Sequence, residues 1–81
     1  MSSEEMLRNA FIQAVGIPPD TDFFTVRYGE TEGWDSVAHM QLVAEIENAF
    51  DIMFTTEQVI EMSSFEKGRE IAASHGVVFA A

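Results

Sequence analysis

The side chains that could do chemistry in this chain are few, and their spacing decides between them. Ser36 is followed three residues later by His39, one of only two histidines. A serine nucleophile needs a base within hydrogen-bond reach, and that base usually needs a third group to orient it. On a helix His39 falls about 300° around from Ser36, on the side where the apolar residues gather. It therefore reads as a packing histidine, and a Ser36/His39 hydrolase, with no evident oxyanion site, is set aside. His75 stands next to Gly76 and reads as a helix C-terminal residue favoured by the helix dipole. Asp20 and Asp22 begin like a calcium loop, but Phe24 and Thr25 stand where a further oxygen ligand and the turn glycine belong, so that site is rejected. Glu30, Glu32 and Asp35 read as a solvated acidic loop, and no metal is expected.

One junction remains, Gly33-Trp34-Asp35-Ser36-Val37. It places a serine in the first turn of the best-defined helix of the chain, with Asp35 as the N-cap and Trp34 as an anchor for the loop. A helix N-terminus presents free N–H groups and the positive end of the dipole, so a phosphate attached to Ser36 would be stabilised where it forms.

Composition restricts the partners of such a site. The chain has 81 residues, with 14 acidic and 4 basic side chains, a formal net charge of 4 − 14 = −10. Four scattered cations (Arg8, Arg27, Lys67, Arg69) cannot neutralise a phosphate backbone, so nucleic acid and anionic membranes are excluded and basic partners are expected. Cysteine is absent, which removes disulfides, thiolate metal sites and a cysteine nucleophile, and fits a reducing compartment. Hydrophobic residues make up 47 % of the chain, too many for a disordered acidic tail. No apolar run approaches the roughly 18 residues of a membrane span, and the acidic start lacks the features of a signal peptide. A cytoplasmic, monomeric, single-domain protein (1–81) is expected.

The elements that must position Ser36 follow from periodicity and caps. Met6, Leu7, Ala10, Phe11, Ala14 and Val15 form one face of a first helix over residues 3 to 15, capped by Ser2 or Ser3 and ended by Gly16 and Pro18-Pro19. Ile12 falls off that face. A long loop follows, from about Ile17 to Gly33, in which Phe23 or Phe24 should pin the chain to the helices through a short helical turn near residues 20 to 25. Residues 36 to 50 form the clearest helix, with a core stripe of Leu42, Val43, Ile46 and Phe50. A second stripe, Val37, Gln41, Ala44 and Asn48, is small, mixed and uncharged, as suits an intermittent contact surface. A short helix runs from about Thr56 to Met62, and Ser63 to Glu66 reads as a capping box that opens a last helix through Ser74 or His75. Gly68 inside it should cost about 1 kcal/mol relative to Ala. The fold class is all-α: a small four-helix bundle of three longer helices and one short one, with a long loop between helices 1 and 2.

From Gly33 to about Ala72 the chain resembles the acyl carrier and peptidyl carrier protein family. Asp35-Ser36-Val37 is followed in order by Leu42-Val43, Glu45-Ile46-Glu47, Phe50-Asp51, Thr56-Glu57 and Ser63-Ser64-Phe65. The resemblance implies a carrier and not an enzyme. A phosphopantetheinyl transferase, using magnesium and coenzyme A, would attach 4′-phosphopantetheine to the Ser36 hydroxyl. The thiol of that arm would hold acyl or aminoacyl groups as thioesters for loading and processing enzymes of a lipid, polyketide or nonribosomal peptide-type pathway. Asp35 matches the position that aids transferase recognition. The implied partner surface comprises Val37, Gln41, Ala44 and Asn48 with the charges of Glu45 and Glu47. Fatty-acid members of the family usually carry acidic residues two and five positions after the serine, where this chain has Ala38 and Gln41, and Val37 replaces the usual Leu. These departures point to a free-standing specialised carrier whose partners rely less on charge. The competing reading is an acidic helical interaction module with the same fold and no prosthetic group.

Overall fold

A computed structural model describes residues 2–79. It contains four α-helices, α1 (Ser3–Val15), α2 (Ser36–Phe50), α3 (Thr56–Glu61) and α4 (Phe65–Ser74), with a 3₁₀ turn at Phe23–Thr25 in the loop after α1. The all-α bundle of three longer helices and one short one is the architecture that the periodicity predicts. No helix among the described residues is long and apolar enough to cross a membrane.

Each helix begins where a small polar side chain takes over a backbone donor that the helix itself cannot satisfy. The Oγ of Ser2 accepts from the Glu5 N–H in α1, and Thr55 and Gln58 form a reciprocal capping box on α3. The cap of α4 lies one residue later than the Ser63–Glu66 pattern suggests. Ser64 accepts from the Lys67 N–H at 3.0 Å. Ser63 is drawn outward because its carbonyl accepts from the Tyr28 N–H at 2.8 Å. That bond belongs to a short antiparallel bridge between Arg27 and Ser64, which ties the long loop to the α3–α4 linker.

The core is built from Leu7, Phe11, Val15, Leu42, Val43, Ile46, Phe65 and Ile71, closed by loop residues Ile17, Phe23, Val26 and Trp34. Phe11 lies at its centre, edge-on to Trp34 at 5.3 Å and to Phe65 at 5.2 Å. Of the two loop phenylalanines, Phe23 is the pin at 3 % exposure, whereas Phe24 is 46 % exposed. The Asp22 carboxylate caps the turn by accepting from the Phe24 N–H, which is the structural use of that aspartate. Ile12, off the apolar face of α1 by angle, packs partly buried against the edge of the core. On α2 the buried set is Ala38, Leu42, Val43 and Ile46. Phe50 belongs only partly to this stripe: it lies half-buried at the rim, edge-on to Phe79 at 6.2 Å.

Candidate functional site

The Gly33–Val37 junction is held from beneath. Gly33 has φ +89°, and a Cβ built on it would lie 2.5 Å from the carbonyl oxygen of Val15, so the loop passes against the end of α1 at a separation only glycine permits. Trp34 is 2 % exposed and fills the space between α1 and α2. Asp35, in extended conformation, caps α2: its Oδ1 accepts from the Ala38 N–H at 2.9 Å. Ser36 is the first residue of α2 and is exposed. Its hydroxyl has no hydrogen-bond partner among the described residues.

His39 is not available to activate that hydroxyl. The Trp34 indole Nε1–H donates to His39 Nδ1 at 3.0 Å, and His39 Nε2 lies 2.7 Å from the carbonyl oxygen of Val59. An indole N–H is only a donor and a carbonyl only an acceptor, so the tautomer with its proton on Nε2 is the one that makes both bonds. Both ring nitrogens are engaged. Tyr28 closes the cluster, edge-on to Trp34 at 5.9 Å and to His39 at 5.3 Å. Beside it, Tyr28, His39, Val59, Ile60, Met62 and Ser63 line a recess of about 210 Å³. His75, the C-cap of α4, stacks on Phe54 and donates from Nε2 to Gln58 Oε1 at 2.8 Å. Among the described residues no group of three or more histidines and carboxylates is placed to hold a metal ion.

The predicted contact stripe is presented outward. Val37 is 76 % exposed, and Gln41, Ala44 and Asn48 are exposed as well. The two charges assigned to that surface are placed otherwise. Glu47 is half-buried, and its Oε2 accepts from the Phe54 N–H at 2.8 Å, clamping the α2–α3 connection. Glu45 lies on the α1 side, where it lines a groove with Met6, Asn9, Ala10 and Ala49. What the sequence reading missed is apolar. Met40 is 58 % exposed, three residues from Val37 and four from Ala44, and Ile60 on α3 is 77 % exposed. Met40 was legible as an exposed neighbour of the stripe at i+3, i+4 spacing. Ile60 sits in a helix too short for periodicity to assign a face.

The chain matches no protein-family model, no curated protein and no solved structure.

Proposed function

We propose that this chain is a carrier protein that holds acyl or aminoacyl groups as thioesters on a 4′-phosphopantetheine arm attached to Ser36. The observation that supports this best is the condition of Ser36: exposed, standing at the capped N-terminus of a 15-residue helix, its hydroxyl without a hydrogen-bond partner among the described residues, and both nitrogens of the nearby His39 engaged elsewhere. A serine that is modified by another enzyme needs access rather than activation. The residues fit the group. Asp35 occupies the Ala38 N–H, which leaves the N–H groups of Ser36 and Val37 and the positive end of the α2 dipole for phosphate oxygens. The arm, when attached, supplies the thiol that a cysteine-free chain lacks. Trp34 and Gly33 hold the turn that presents Ser36, and Asp35 is the residue a phosphopantetheinyl transferase would read beside it.

Partner enzymes would dock on Val37, Met40, Gln41, Ala44 and Asn48, a face with no charged side chain of its own. With Glu47 committed to the Phe54 N–H, recognition through shape and apolar contact outweighs a charge code, in keeping with a specialised pathway. A cytoplasmic setting suits a chain without cysteine. The test is incubation with coenzyme A, magnesium and a promiscuous phosphopantetheinyl transferase, followed by weighing. A gain of one phosphopantetheine that Ser36→Ala abolishes supports the carrier. No gain overturns it in favour of an interaction module without a prosthetic group.

A further inference from the structure

α3 is the least anchored helix of the bundle. It has six residues, and none of them is fully buried. Val59 packs on the core only in part. Among the described residues its tertiary hydrogen bonds come from the two imidazoles of the chain, His75 on Gln58 Oε1 and His39 on the Val59 carbonyl. The Val59 carbonyl is one of the last four of its helix and has no partner within it, so the His39 Nε2–H satisfies a group that is otherwise open. The opposite nitrogen of the same ring accepts a hydrogen bond from the Trp34 indole N–H, one residue from the cap of α2. A single imidazole thus joins the turn that carries Ser36 to a helix 20 residues further along the chain.

We propose that His39 is a positioning residue: its two hydrogen bonds hold the Trp34–Ser36 turn and α3 in one fixed relation, and its ring forms part of the wall of the recess that Tyr28, Val59 and Ile60 also line. The consequence for modification rests on the carrier reading. A transferase or partner that grips both α2 and α3 meets a preformed surface only while both bonds are made, because ordering a loose α3 on binding would cost affinity.

Two substitutions separate the two ends. His39→Asn keeps an acceptor near the Nδ1 position and removes the reach to Val59, and His39→Gln keeps a donor near Nε2 and removes the acceptor for the indole. Trp34 is the sole tryptophan, so its indole N–H gives one resolved signal in ¹⁵N NMR. In His39→Gln the indole N–H should exchange with solvent a few-fold to about ten-fold faster while the α3 amides keep their protection, and His39→Asn should reverse that pattern. Both should raise the KM for the chain as transferase substrate several-fold with kcat preserved. Ile71→Val, a core change that loosens the bundle without touching this linkage, should lower stability and leave KM in place. The proposal is overturned if exchange at both ends is unchanged in both His39 variants, or if KM moves no more than in Ile71→Val. A wild-type chain that no transferase accepts would end the carrier reading, and the exchange measurements would still decide whether His39 holds the two ends.

Discussion

Replacing Gly33 by alanine should be among the most damaging single-methyl additions in the chain, and Gly29→Ala provides the control that explains why. Both glycines have positive φ, +89° and +80°. An alanine in that region costs roughly 1–2 kcal/mol, because its Cβ crowds the carbonyl oxygen. A Cβ on Gly29 meets nothing within 4 Å, so this backbone penalty is the whole cost there. On Gly33 the same atom falls 2.5 Å from the Val15 carbonyl oxygen. That oxygen is backbone at the end of α1, so no rotamer change relieves the contact and the loop must move, which adds overpacking of about 1–3 kcal/mol. The expected total for Gly33→Ala is about 3 kcal/mol, comparable to the net ~3–5 kcal/mol that a core of this size supplies. At roughly 4–8 °C per kcal/mol for a domain of this length, the midpoint should fall by roughly 12–24 °C, against roughly 4–16 °C for Gly29→Ala. Thermal melts followed by circular dichroism at the helix band measure both. The displaced loop carries Trp34, so the tryptophan emission of Gly33→Ala should also shift while that of Gly29→Ala stays put. Equal midpoints for the two variants would refute the argument, since the difference between them is the contact with α1.

Other substitutions test the remaining supports. Asp35→Ala removes the cap of α2 and should cost about 1 kcal/mol in urea denaturation, with Asp35→Asn recovering most of it. Glu47→Ala takes the acceptor from the Phe54 N–H and should cost about 1.5 kcal/mol, more than an exposed docking carboxylate would; Glu47→Gln should restore much of the loss. Ending the chain at Gly76 removes Phe79, which packs edge-on to Phe50 and lies 5.0 Å beneath the Arg69 guanidinium. The expected cost is about 1–2 kcal/mol and a clear drop in the thermal midpoint.

The helices were legible because their signals are local. Ser2, Asp35 and Thr55 each cap by bonding a backbone N–H three residues on, and that interval can be read from the chain alone. Where reading failed, the deciding contact was distant. Ser63 and Ser64 compete as caps on equal local terms, and the choice is made by Tyr28, which takes the Ser63 carbonyl from a loop 35 residues earlier. Glu47 looks like a free surface charge until the α2–α3 connection turns the Phe54 N–H towards it, seven residues away. The helix angle alone puts His39 on the apolar side of α2, but its partners, an indole five residues back and a carbonyl on α3, lie beyond any periodicity. The exposure of Ser36 at the start of α2 was legible, since it follows from the Asp35 cap beside it.

The most direct measurement of the central claim is fragment mass spectrometry of the chain after treatment with coenzyme A and transferase, assigning the modified position. The account predicts one phosphopantetheine on Ser36, with Ser63 and Ser64 unmodified although both also precede or cap a helix. An unmodified chain, or an arm found on another serine, would contradict it.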